Sequence, residues 1–179
     1  MDRIDRVSIV GMGAMGILYG DFFANALGRE QVTFLADSDR ARRYRNTPVY
    51  CNGRKMDFRI QDGAVPDSQG PAQLLLFAVK ATALGDAISV AGNQVGKDTV
   101  ILSVLNGITS EAVIGEALGM DHVLYCVSQG MDAVKLGNEL TYSHMGQICI
   151  GIPEDQAYKE PMLLAVTDLF DETGFPYTR

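Results

Sequence analysis

The sequence has no tryptophan, three cysteines, two histidines and no apolar run near the ~20 residues that span a bilayer. Cys51, Cys126 and Cys149 are widely spaced and form no C-x-x-C pair. They argue against a disulfide framework or a cysteine-ligated metal, and read as reduced thiols of a cytoplasmic protein, set among apolar neighbours. His122 and His144 stand alone, without metal-ligand spacing, and read as structural residues. There is no G-x-S-x-G nucleophile elbow and no G-x-x-x-x-G-K-[ST] phosphate loop. Positive charge is scarce: 15 Lys and Arg stand against 22 Asp and Glu, a net charge of -7. That balance disfavours nucleic acid or an anionic membrane as a partner. The opening MDRIDR carries both signs and runs straight into a strand, unlike a signal peptide.

What is present suits one globular domain over residues 1–179. The chain is 47% hydrophobic and 21% charged, and a chain of this length buries roughly 70% of its unfolded surface. Short apolar runs alternate with helix-length segments. Strands are expected at Arg6–Val10, Gln31–Ala36, Ala72–Val79, Thr99–Leu105 and His122–Ser128. Helices are expected at Ala14–Leu27, closed by Gly28, from Asp37, at Ala83–Val95, at Ser110–Leu118, closed by Gly119, and from Pro161 to Phe170. Asn52-Gly53 between alternating runs predicts a β-hairpin. Alternation over Glu139–Ile152 around Gly146 predicts a second one, and FPYTR a closing strand. The strand–helix–strand order implies an α/β fold with a mostly parallel, doubly wound sheet and helices on both faces. Such sheets bind ligands at the carboxyl ends of their strands.

The segment VSIVGMGAMG places G-x-G-x-x-G between the first strand and the first helix. Gly11 allows a tight turn, Gly13 a close approach to a pyrophosphate, and Gly16 close helix–strand packing, as in a Rossmann-type dinucleotide site. The loop Gly11, Met12, Gly13, Ala14, Met15 and Gly16 is therefore the candidate cofactor cradle, in which Met12 and Met15 read as packing residues. The end of the second strand should read the adenosine ribose. An acidic residue there points to NAD, and arginine to NADP. The sequence offers both: Asp37, and behind it Arg40, Arg42, Arg43 and Arg45. Asp37 is also a candidate helix cap, and the arginines a solvated helix face.

Two more polar residues end buried strands. Lys80 closes LLLFAV just before a helix start, where a lone cation is unfavourable unless an anion is present. Asn106 closes VILSVL, and its amide both donates and accepts, which suits a ribose, a nicotinamide or a keto oxygen. Each also has a plain reading, an exposed lysine and a turn residue or cap.

The segments VGMGAMG, LLLFAVKA and VILSVLNGI, in this order and spacing, make the chain similar to the N-terminal domain of the ketopantoate reductase (2-dehydropantoate 2-reductase) family. ICIGIP resembles the family's late hairpin, and the resemblance covers nearly the whole chain. It implies NADPH-dependent reduction of ketopantoate to pantoate, a step of pantothenate biosynthesis. It also implies cofactor contacts from Lys80, Asn106 and the backbone around Ala133, with Asn106 also near the substrate. The implied partner is a small keto acid, and a homodimer is left open. Two departures stand out. Asp37 sits where family members often carry arginine, so NADP against NAD depends on whether Arg40, Arg42 or Arg43 substitutes. The family's second, helical domain, with its general-acid lysine, would lie beyond Arg179, so the chain is expected to bind the cofactor without turning over ketopantoate. Two other readings remain: a dehydrogenase of another 2-keto or 2-hydroxy acid, and a non-catalytic domain that senses the nucleotide.

Overall fold

The structure, a computed structural model, describes residues 3–179. Its main sheet has eight strands. They are β1 (Val7–Val10), β2 (Val32–Ala36), β5 (Arg59–Asp62), β6 (Leu74–Phe77), β7 (Val100–Ser103), β8 (Val123–Gln129), β11 (Gln147–Gly151) and β12 (Tyr177–Thr178). A smaller sheet holds β3 (Val49–Cys51), β4 (Arg54–Met56), β9 (Val134–Leu136) and β10 (Glu139–Thr141). The helices are α1 (Ala14–Leu27), α2 (Ser38–Asn46), α3 (Leu84–Ala91), α4 (Ser110–Leu118) and α5 (Glu160–Thr173). The main sheet runs β12-β11-β8-β7-β6-β1-β2-β5. From β5 to β8 every pairing is parallel, whereas β11 joins β8 antiparallel.

The period of two along the central strands explains the layers. Val7, Ile9, Leu74, Leu76, Val100 and Leu102 face a core shared with α1 and α5. Val10, Leu75, Phe77 and Ile101 face the opposite core, with α3 and α4. Both faces are covered, which is why these strands read as continuous apolar runs. On the α1 side the Phe175 ring lies 4.6 Å from Phe170, 5.2 Å from Phe23 and 5.4 Å from Tyr19. This aromatic group locks α1, α5 and the closing segment together and fixes Tyr19. No helix among the described residues is long and apolar enough to cross a membrane.

The Asn52-Gly53 hairpin forms as expected, with both residues left-handed (φ 48° and 75°), the geometry of a type I′ turn. The tail of the same run leaves the hairpin and becomes β5 in the main sheet. The helix expected over Ala83–Val95 stops at Ala91 and is followed by a separate turn at Gly92–Gln94.

The second expected hairpin is corrected. Glu139–Thr141 pairs with β9 and β3, Gln147–Gly151 pairs with β8, and the two lie in different sheets. Asp132 divides them: one carboxylate oxygen accepts the backbone N–H groups of Ser143 and His144, both at 2.8 Å. This ties the connection to the loop after β8 and delivers the following strand onto β8. Gly146 passes so close to Gln129 and Met131 that a side chain has no room there.

Candidate functional site

The chain runs from β1 to β2 on one side and returns to β6 on the other, so the strand order reverses at β1. The crevice outside that point is where open α/β sheets take ligands. A cleft of about 830 Å³ opens there. Its floor is set by hydrogen bonds that continue past the strands. Ala78 N–H donates to Val10 O at 2.8 Å and Val104 N–H to Phe77 O at 3.0 Å. The loops after β1, β6 and β7 are thereby held side by side.

The first glycine loop forms one wall. Gly11, Met12, Gly13, Ala14 and Met15 line the cleft. Gly11 has φ 107°, and a Cβ there would stand 2.6 Å from Ala78 O. Gly13 is different: its nearest neighbour would be 3.8 Å away, so its backbone is open on the cleft side. Gly16 lies behind the loop against the Gly11 carbonyl, where no side chain fits. Helix α1 begins after Gly13 with no side-chain cap and no acidic residue in its first turn. Its first N–H groups are left for an anion.

Asp37 and Arg40 line the end of the cleft beyond β2. Asp37 caps α2, its Oδ1 accepting Arg40 N–H at 2.8 Å, and its Oδ2 lies 3.2 Å from the Arg40 guanidinium. Arg40 also reaches Asp86 at 3.9 Å. The other arginines point elsewhere. Arg42 pairs with Asp39, Arg43 lies over the Tyr44 ring, and Arg45 donates to Ile60 O.

Lys80 and Asn106 both line the cleft, on neighbouring strand ends. Lys80 is exposed and has no ion-pair partner among the described residues. Asn106 is exposed, with no side-chain hydrogen bond among the described residues. Ala133 does not line the cleft; it packs half-buried against the core. Met131 and Ser128 occupy that end instead. The sequence reading passed over them, although the rule that found Lys80 and Asn106 applies to the next strand end, where Ser128 lies. Ser128 accepts a hydrogen bond from the Tyr19 hydroxyl at 2.9 Å. Burial pushes the Tyr19 hydroxyl up to about 12.

The thiols lie away from this chemistry. Cys51 and Cys126 are buried and Cys149 is half-buried. Burial pushes Cys51 up to about 12, helped by the neighbouring Asp21 carboxylate, and burial does the same to Cys126. Both stay protonated and are poor nucleophiles. His122 Nδ1 lies 2.9 Å from Thr99 O, and His144 Nδ1 lies 3.2 Å from Asp132 on the surface.

Residues 7–155 match the family described as ketopantoate reductase PanE/ApbA. No curated protein matches the sequence. Among solved structures, a 2-dehydropantoate 2-reductase from Geobacter metallireducens is 22% identical, with a TM-score of 0.71 over 97% of this chain and 57% of that one. A D-mandelate dehydrogenase solved with NADH and anilino(oxo)acetate is 19% identical, with a TM-score of 0.72 over 96% of this chain and 55% of that one. A dimeric ketopantoate reductase from Staphylococcus aureus is 16% identical, with a TM-score of 0.66 over 96% of this chain and 58% of that one. At these identities the likeness is one of fold. The chain spans little more than half the length of each of these structures.

Proposed function

The chain belongs to the ketopantoate reductase PanE/ApbA family, and on that premise we infer that its cleft holds a nicotinamide dinucleotide for the reduction of a 2-keto acid. The observation that carries this reading is an order in space. Asp37, the Gly11–Met15 loop, Lys80 and Asn106 follow β2, β1, β6 and β7, and Ser128 lies near the end of β8; these strands are consecutive neighbours in the sheet. Four strand steps at ~4.8 Å each span about 19 Å, room for an extended ligand. A dinucleotide laid along them would meet a ribose-reading carboxylate, a helix N-terminus, an ammonium and an amide in turn.

The residues present fit that group. The open face of Gly13 and the uncapped first turn of α1 suit a pyrophosphate. Lys80 has its charge free to balance a phosphate or a substrate carboxylate. Asn106 offers an amide to the nicotinamide side and to the keto oxygen. When bound, the reduced cofactor supplies a hydride for the C2 keto carbon of the substrate.

NADH suits the adenosine end better than NADPH. Asp37 presents a carboxylate there, and Arg40, the sole member of the arginine cluster in the cleft, is already shared between Asp37 and Asp86. A 2′-phosphate would meet Asp37 with little cationic compensation. Leu105 and Met131 make the opposite end apolar, which suits a branched keto acid such as ketopantoate. An aryl keto acid is the second reading, favoured by the likeness to D-mandelate dehydrogenase.

Calorimetric titration of the purified chain with NADH and NADPH in parallel tests the reading. NADH is expected to bind more tightly. Failure of both to bind overturns it. Titrating the NADH complex with ketopantoate and with phenylglyoxylate then separates the two substrate classes.

A further inference from the structure

Ser128 is the penultimate residue of β8, at the side of the cleft farthest from Asp37. Its hydroxyl is held by Tyr19, which projects from α1 and is 1% exposed. The Tyr19 hydroxyl has no other hydrogen-bond partner among the described residues. A buried phenol does not leave its proton unshared, because the lost hydration would go unreplaced. Tyr19 therefore donates and Ser128 Oγ accepts. Burial keeps Tyr19 protonated throughout the working pH range, so this polarity does not reverse.

The consequence lies in the proton that Ser128 still carries. A serine hydroxyl has one O–H to give, and Ser128 has no acceptor for it among the described residues. Ser128 lines the cleft together with Asn106 and Met131. It is thus a hydroxyl with an unclaimed proton, oriented by the bond it accepts from Tyr19 and placed one strand beyond Asn106 at the nicotinamide end.

We propose that Ser128, held by Tyr19, donates to the carboxamide oxygen of a bound nicotinamide and so fixes the orientation of the ring. This rests on the dinucleotide reading of the cleft. Of the two ends of the carboxamide, only the oxygen can take the Ser128 proton. Turning the amino group to Ser128 would use the hydroxyl's remaining lone pair but leave the serine proton without an acceptor. The carboxamide flip is then set by a serine whose orienting partner is buried in the core. Ser128 and Tyr19 are positioning residues: neither takes part in the transfer.

The test uses the 179-residue chain and three ligands titrated by calorimetry: NADH, its thionicotinamide analogue and ADP-ribose, which lacks the nicotinamide. Ser128→Ala is expected to weaken NADH by about threefold to tenfold, the effect of one neutral hydrogen bond. ADP-ribose should bind the variant within about twofold of the wild-type affinity. Tyr19→Phe should shift NADH in the same direction by releasing the Ser128 hydroxyl to rotate. The thioamide sulfur accepts poorly, so wild type and Ser128→Ala should bind the thio analogue alike. Equal weakening of NADH and ADP-ribose would show a structural role only and overturn the proposal, as would an unchanged NADH affinity. If the wild-type chain fails to bind ADP-ribose, the dinucleotide reading itself falls.

Discussion

Asp37 is joined to Arg40 at both carboxylate oxygens: Oδ1 accepts the Arg40 backbone N–H at 2.8 Å, and Oδ2 faces the guanidinium at 3.2 Å. The first contact caps α2 and the second draws off the one cleft arginine of the cluster. Both side chains are about two-fifths exposed, so the ion pair contributes at most about 1 kcal/mol. Its electrostatic sign matters more than its strength. Serine caps as well as aspartate and carries no charge. Asp37→Ser should therefore leave the melting temperature within about 2 °C of wild type. It should improve NADPH binding by about tenfold, as removal of one like charge from a phosphate allows, and weaken NADH several-fold. Parallel titrations with both coenzymes check this, and an unchanged NADPH affinity would take Asp37 out of the ribose subsite.

The glycines at 11 and 13 should respond differently to one added methyl. Alanine at position 11 meets φ 107° and would press on Ala78 O at 2.6 Å and Val79 Cγ1 at 2.8 Å. Gly11→Ala should cost about 2 kcal/mol of stability, the size of a local strain plus overpacking effect. Alanine at position 13 has an ordinary φ of −84° and 3.8 Å of clearance. Gly13→Ala should melt with wild type, yet it fills the space a pyrophosphate needs and should lose at least about tenfold in NADH affinity. A Gly13→Ala variant that binds NADH normally would move the pyrophosphate off this loop.

Those two glycines also show how far the sequence could be read. The loop, the strands on either side and the Asn52-Gly53 turn are local signals, written within a few residues of where they act. Lys80 and Asn106 were legible because the carboxyl-end rule needs only strand order, and the sheet places both in the cleft. The small sheet was not legible. It forms when β10 lies along β3, with Leu140 beside Cys51, and no local pattern announces a pairing across that much chain. The split of Glu139–Ile152 between two sheets turns on Asp132, whose hydrogen bonds reach forward to Ser143 and His144. Ser128 was hidden for the same reason: Tyr19, which gives its hydroxyl a direction, stands 109 residues away. Ala133 lies outside the cleft lining, two residues beyond Met131, which is in it.

Lys80 is exposed and unpaired among the described residues, so removing its charge should not affect folding. Lys80→Gln should keep the wild-type melting temperature. It should weaken NADH by about tenfold, within the range for a hydrogen bond to a charged group. The salt dependence distinguishes a phosphate contact from a packing effect. Wild-type affinity should fall as ionic strength rises, and the variant's should fall less steeply. Equal slopes would mean that Lys80 touches no anion of the cofactor.

Lys159 offers a pH test of the fold itself. Its side chain is fully buried, and its ammonium donates to Met120 O at 2.7 Å and Val123 O at 2.8 Å, tying α5 to the start of β8. Lys159→Met would orphan two carbonyls and should cost about 2 kcal/mol at neutral pH. Burial also holds the Lys159 ammonium below the ordinary lysine range. Between its folded value and that range, the unfolded chain still carries a proton that the folded chain has released. Stability attributable to this group therefore rises with pH across that window. The methionine variant lacks the effect, so the gap in unfolding free energy between wild type and Lys159→Met should widen as pH climbs from neutrality toward the lysine range. Paired denaturant titrations at stepped pH measure it directly, and the tyrosines away from Lys159 cancel in the difference. A gap that narrows with pH would mean the two carbonyls hold the ammonium more strongly than burial opposes it.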